Sequence, residues 1–252
     1  MATASTNPND LRAERVLMTN GPVHFAVAGE DWIIPNVAIM PGEWLAISPA
    51  AQGMHKEVQL ELARTLATMA FPSLGRVYLL GHDVYAMSPH ARERLRAHLG
   101  YVHAEGGLLS NRTIYENVAL PYSVHRRSTA REERIQVGCV LEEFELTSVA
   151  DAHPHLVNGL QRWRACLARA LVLDPQWLVI EGPSDWTDRW AEHVAWDRLQ
   201  KRRERHQLSL AICMPRTLAG FEDWFEAGGG RVVHTVRAAD AVAKPRRYEV
   251  LR

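Results

Sequence analysis

The chain has 252 residues, of which 47% are hydrophobic, and its 29 basic side chains are matched by 29 acidic ones. That length fits one large domain, or a core carrying a subdomain, and the apolar content suffices for a sizeable core. The balanced charge excludes a global attraction to nucleic acid or anionic lipid. Cys139, Cys166 and Cys213 lie far apart and form no CxxC pair, which argues against a disulfide framework or zinc site and for three buried thiols in a reducing compartment.

Residues 1–14 are polar and read as a mobile tail without a secretory leader. A β-rich stretch follows, with short runs at Val23–Val27 and Val37–Ile39. Pro41-Gly42 marks a turn, and Trp44–Ile47 reads as a short buried strand. The small-residue loop Ser48–Gly53 leads into a helical pattern over Lys56–Met69, where Val58, Leu62, Leu66 and Met69 recur. Strand, loop and helix in this order place a loop against phosphates in nucleotide-binding α/β folds. Gly75–Gly81 reads as a strand between turns, and Ser88-Pro89 starts a helix up to Leu99. Gly100–Val102 is again a strand. Residues 104–168 are patterned as a helical subdomain. Trp177–Ile180 and Leu208–Cys213 are continuous apolar runs of the kind buried on both faces of a parallel sheet. Lys201-Arg202-Arg203 reads as a solvated helix face. No apolar run approaches the roughly 18 residues of a membrane span.

Several of these anchors occur in the order used by the ATP-binding subunits of ABC transporters. Pro41-Gly42-Glu43 and its strand resemble the entry to their phosphate loop. Gly100-Tyr101-Val102 followed by the run from Glu105 to Pro121 resembles their Q-loop region, in a form similar to the ATPases of Mce-type lipid importers and retrograde phospholipid transporters. Gln161–Leu171 resembles the helix after the signature motif, and Asp174-Pro175-Gln176 precedes the Walker B strand. The resemblance covers about residues 20–235. It implies an α/β fold with a P-loop (RecA-like), mostly parallel sheet core, a β-rich N-terminal part and an inserted α-helical subdomain. Residues 15–235 would form one nucleotide-binding domain, and 236–252 an appendage.

The same resemblance shows where the chemistry has been lost. A phosphate loop needs glycines, a Lys for the β/γ charge and a hydroxyl for Mg²⁺. In the run from Ser48 to Lys56, Gly53 survives, Met54 stands at the Lys position and His55 at the hydroxyl. Phe25 falls roughly where the family stacks an aromatic on adenine, although ordinary strand packing is the better explanation. The Walker B strand should end in Asp and then Glu, the second of which polarises the attacking water; here it ends in Glu181 and Gly182. The Q-loop glutamine falls at Ala104 and the switch histidine at Pro215, which has neither a side-chain donor nor an N–H. In the signature segment, Asn158, Gly159 and Gln161 remain, Leu160 adds bulk, and Asp188 marks the D-loop. Each lost electrostatic group costs a transition state about 3 kcal/mol. With four absent together, efficient hydrolysis in cis is not expected.

The leading expectation is therefore a degenerate, non-hydrolysing cassette that docks onto an integral membrane permease, onto an intact ATPase subunit or second copy, or onto both, with lipid transport as the candidate process. Leu108, Leu109, Tyr115 and Glu116 are the docking candidates. The protein would be cytoplasmic and peripheral to the inner membrane through its partners. No nucleic acid, metal site or resident cofactor is expected, with ATP and Mg²⁺ held weakly at most. Two alternatives stay open: an ATPase with unorthodox loops, and a soluble regulatory or scaffolding protein using the same fold.

Overall fold

The computed structural model describes residues 15–49, 56–104, 106–125, 129–182, 193–214 and 220–243. In chain order the strands and helices are β1 (Leu17–Thr19), β2 (Val23–Val27), β3 (Glu30–Ile34), β4 (Ala38–Ile39), β5 (Trp44–Pro49), α1 (Lys56–Leu66), β6 (Val77–Leu79), β7 (His82–Asp83), α2 (Pro89–Arg96) and β8 (Leu99–Val102). They continue with α3 (Ile114–His125), α4 (Ala130–Glu143), α5 (Gly159–Leu171), β9 (Trp177–Glu181), α6 (His193–His206), β10 (Ser209–Cys213), α7 (Phe221–Ala227), β11 (Gly230–Arg237) and α8 (Ala238–Ala243). The chain divides into two compact units, Met1–Arg92 with Ser209–Arg252, and Glu93–Leu208.

In the first unit, β5 is paired in parallel with β10 on one side and β11 on the other. β11 continues antiparallel onto β3, which pairs antiparallel with β2. A small antiparallel sheet, β4-β1-β6-β7, completes the β-rich N-terminal part. Every residue of β5 and of β10 is buried, which is why both read as unbroken apolar runs with no alternation. Helix α1 buries Val58, Leu62, Ala63 and Leu66, and its buried Gln59 donates from Nε2 to the Cys213 carbonyl at 2.7 Å, tying the helix to the end of β10. β11 was not legible as a strand, and the expected boundary between residues 235 and 236 falls inside it.

In the second unit, β8 and β9 form a parallel pair, Leu99 opposite Trp177 and Val102 opposite Ile180. Gly100 lets α5 approach: a Cβ there would lie 2.5 Å from the Ala170 carbonyl oxygen and 2.9 Å from Leu178. Helix α5 buries Trp163, Cys166, Leu167 and Leu171 on one face. Helix α4 begins at a capping box in which Thr129 and Glu132 satisfy each other's backbone N–H. The expectation of three buried thiols is corrected here. Cys166 and Cys213 are buried, but Cys139 is exposed, because it lies on a face of α4 away from the buried Val137, Val140 and Leu141.

Candidate functional site

The end of β9 delivers Glu181 into a buried position, 5% exposed. Its carboxylate accepts a short hydrogen bond from the Tyr101 hydroxyl and a second from the Ala104 N–H at 3.0 Å. The His103 imidazole stands 3.5 Å from the same carboxylate, with its ring edge-on to Tyr101 at 4.7 Å between centroids. Parallel pairing of β8 with β9 brings these residues together, since both strands end on the same side. Burial works to raise the Glu181 pKa. The hydrogen bonds from His103, Ala104 and Tyr101, with the His103 charge, outweigh it and hold the carboxyl below the ordinary glutamate range. The groups that face this carboxylate are donors, and they compete for its oxygens with any Mg²⁺, which takes oxygen ligands. Three donors thus engage the carboxylate, two at Oε1 and one at Oε2.

The segment after Ala104 is fixed at two places. Gly106 and Gly107 both adopt positive φ, 88° and 62°, and turn consecutive carbonyls toward α5. Arg169 donates to Gly107 O at 2.7 Å and to Gly106 O at 3.1 Å, and the Cys166 thiol donates to Gly106 O at 3.0 Å. Further on, Asn117 is fully buried. Its Oδ1 accepts from the Leu109 N–H at 2.7 Å, and its Nδ2 donates to the carbonyls of Leu109, Arg112 and Thr113 at 3.0, 3.2 and 2.9 Å. Helix α3 begins with a reciprocal cap: the Thr113 N–H donates to the Glu116 carboxylate at 2.9 Å, and the Glu116 N–H donates to the Thr113 hydroxyl at 3.1 Å. Glu116 is therefore engaged in holding the helix start and also pairs with Arg112 at 3.1 Å. Leu109 is 43% exposed, while Leu108 and Tyr115 are half-buried.

At the start of α5, Asn158 is the N-cap. Its Oδ1 accepts from the Gln161 N–H at 2.8 Å, and the Asn158 N–H donates to Gln161 Oε1 at 3.1 Å. Both polar side chains of the signature segment are thus used in capping their own helix, and Leu160 projects outward, 39% exposed. Gly159 has open space around it: a Cβ would meet only Arg162, at 3.9 Å.

In the first unit, Ser48 on β5 is 1% exposed, and its hydroxyl has no hydrogen-bond partner among the described residues. Phe25 is corrected from an adenine-stacking candidate to a core residue. It is 1% exposed on β2, opposite Trp32 on β3, so no face of its ring is available to a ligand. Gly53, Met54, His55, Asp188 and Pro215 lie outside the described residues; Gly182 follows Glu181 directly. Of the sequence candidates, Ala104 and Glu181 are brought into contact. Tyr101, His103, Arg169 and Asn117 were missed as positioning residues. Tyr101 and His103 were findable, because they flank the Q-loop position, but the partners that α5 and α3 supply depend on packing.

Residues 61–185 match the family model of the ABC transporter, and solved ATP-binding cassettes share the fold. The structure is similar to a dimeric post-hydrolysis cassette bound to ADP and Pi, with a TM-score of 0.65 at 21% identity over 78% of this chain and 86% of that one. It is also similar to cbiO1 from Clostridium perfringens, part of the cbiONQ ABC transporter complex, with a TM-score of 0.68 at 19% identity over 92% of each chain. Residues 61–185 are thus similar to an ABC-transporter ATP-binding domain. Among curated proteins it is similar to the sulfate/thiosulfate import ATP-binding protein CysA of Bradyrhizobium diazoefficiens, 34% identical over 59% of this chain and 41% of that protein. It is also similar to the methionine import ATP-binding protein MetN of Cupriavidus metallidurans, 29% identical over 76% of this chain and 56% of that one. A third relative is the lipoprotein-releasing system ATP-binding protein LolD of Francisella tularensis subsp. holarctica, 28% identical over 70% of this chain and 75% of that one. The chain spans 41% and 39% of the length of the two CysA relatives it matches. Among the described residues no helix is long and apolar enough to cross a membrane.

Proposed function

We propose that this chain is a non-hydrolysing ATP-binding-cassette subunit that works by docking onto a membrane permease. The observation that carries this reading is the Glu181 site. The carboxylate at the strand end, where a cassette handles its hydrated Mg²⁺, is engaged by Tyr101, His103 and the Ala104 N–H. Gly182 then supplies no base, Ala104 supplies no amide side chain, and Met54 and Pro215 remove the phosphate-directed cation and the switch imidazole. The groups that would position water and metal are missing, and the acid that remains is tied to its own chain.

Docking is supported by the contrast between these positions and the segment 106–121, which Arg169 and Asn117 hold at Gly106, Gly107 and Leu109. Leu109 is exposed there and Tyr115 half-buried. Lipid or lipid-linked cargo is the substrate class we put forward, on the resemblance of residues 105–121 and the likeness to a lipoprotein-releasing ATPase. An intact ATPase or a second copy is the second partner we propose, on the likeness to a dimeric cassette.

The test is ATP turnover by the purified full chain, followed by capture of membrane proteins from its native cell. Turnover near about 1 s⁻¹ that tracks the protein through purification would overturn the non-hydrolysing reading. Wild-type chain is expected to retain a permease, and Leu109→Glu with Tyr115→Ala to release it while remaining folded. Glu116 is left intact in this variant because it caps α3. Failure of the wild type to capture any integral membrane protein would leave the soluble scaffold as the better reading.

A further inference from the structure

A second candidate site lies wholly within the unit Glu93–Leu208. Helices α4 and α6 do not close on one another with apolar stripes along their whole length. Between them and Asp174 is a cavity of about 550 Å³, within the size range of about 300–1,000 Å³ typical of small-molecule pockets. Helix α4 contributes Gln136, Cys139, Val140 and Glu143, and α6 contributes Arg198, Lys201, Arg202, Arg205 and His206. These positions recur at three- and four-residue intervals, so each set forms one face of its helix. The basic run expected to be a solvated face is therefore partly a cavity wall.

The charges are not balanced. Arg202 forms the floor, 9% exposed. It donates through Nε and Nη2 to both carboxylate oxygens of Glu143 and through Nη1 to the Leu171 carbonyl and Asp174. That pairing consumes Glu143, the only acidic lining residue on either helix, and His206 takes the other Asp174 oxygen at 3.2 Å. Lys201 and Arg198 reach Asp197, at 2.7 and 2.9 Å, which lies outside the lining. The Arg205 guanidinium makes no ion pair with a described residue. Four cations, Arg198, Lys201, Arg202 and Arg205, thus line a concave surface against three carboxylates, Glu143 and Asp174 in the lining and Asp197 outside it, which leaves one positive charge over. Arg198 and Lys201 are held by Asp197 and, for Arg198, by the Glu143 carbonyl at 2.8 Å, so Arg205, in the last turn of α6, supplies the positive charge left over at the hollow.

We propose that this cavity binds a small phosphorylated molecule, a phosphate monoester carrying about two negative charges, with Arg205 and Lys201 as its ligands and the Arg202–Glu143 pair as a rigid floor. Guanidinium groups suit phosphate because they present forked donors. The site is distinct from the Glu181 region and does not depend on nucleotide or permease binding.

Cys139 supplies the readout, being in the cavity wall and the exposed cysteine of the three. The experiment measures its alkylation by iodoacetamide in the full chain, with glucose 6-phosphate as probe. Glucose and sodium chloride at matched ionic strength serve as controls. Glucose 6-phosphate is expected to slow the reaction saturably, by about tenfold at ten times its Kd by mass action, and neither control should do so. Lys201→Glu with Arg205→Glu should abolish the protection. Slow alkylation of buried Cys166 and Cys213 in that variant would show that the fold is retained, and Arg205→Gln alone should weaken protection if the double variant does not fold. Absence of slowing, equal slowing by glucose or salt, or unchanged protection in the folded variants would overturn the proposal. Protection by phosphatidylserine vesicles but not by glucose 6-phosphate would overturn it too, and would assign the basic surface to a membrane.

Discussion

Glu181 and Arg205 are two charges in one compact unit with opposite fates. Glu181 sits at the end of a buried strand and finds a hydroxyl, a backbone N–H and an imidazole around it. Arg205 sits in the last turn of α6 above a hollow, and its neighbours' carboxylates are already taken by Arg202 and His206. A carboxylate satisfied by its own chain has little to offer a metal or water. A cation left over after internal pairing is available to a ligand.

The largest expected effect sharpens the idea of a rigid floor. Arg202→Ala removes a nearly buried guanidinium held by Glu143, Asp174 and a carbonyl. It should destabilise the protein by about 3 kcal/mol, read as a lower midpoint in urea unfolding. A change below about 0.5 kcal/mol, the range of ordinary surface substitutions, would mean that the floor is not structural.

Glu181→Ala comes next, with an expected loss of about 2 kcal/mol because Tyr101 and the Ala104 N–H lose their acceptor. Glu181→Gln should cost about 1 kcal/mol, since one acceptor oxygen survives. If either variant were neutral, the carboxylate would be free for other work and the closed reading of the site would fail.

The pH dependence of that difference is a finer measure. The Glu181 carboxyl is held below its ordinary range, with His103, Ala104 and Tyr101 together outweighing burial. A depressed carboxyl stabilises the fold fully above the unfolded value, about 4.3, and loses that contribution as pH falls through the folded value. The stability gap between wild type and Glu181→Gln is therefore expected to narrow as pH falls below about 4. A gap that widened on acidification would reverse the assignment.

Arg205→Ala should have the smallest effect on stability, within about 0.5 kcal/mol, because the guanidinium has no ion pair to lose. Anion protection of Cys139 should nevertheless weaken. A large destabilisation would instead place Arg205 among the structural ion pairs.

Most of the fold could be read from local pattern, because β5, β9 and β10 are buried on both faces and so appear as short unbroken apolar runs. β11 was missed: its segment Gly230–Arg237 mixes His, Thr and Arg with valines, and most of its residues are only partly covered or exposed. It becomes a strand because β5 and β3 pair with it on either side. Phe25 was read in part as a ligand platform because a single aromatic carries no mark of which face of a sheet it occupies. The opposing Trp32 and full burial decide that.

What the sequence determined by itself is the inventory of groups: Gly182 has no side chain, Met54 no charge and Pro215 no N–H, whatever surrounds them. It also determined where the regular elements fall, since burial on one face or two imposes its period on the residues. Only the tertiary structure decided what the remaining groups do. Parallel pairing of β8 with β9 sets Tyr101 and the Ala104 N–H on Glu181, 80 and 77 residues apart in the chain. The facing of α4 and α6 decides which of the basic residues on α6 are neutralised and which are left over. Hydrogen bonds and ion pairs act over a few ångströms in space, so their partners follow from packing and not from neighbourhood in the chain.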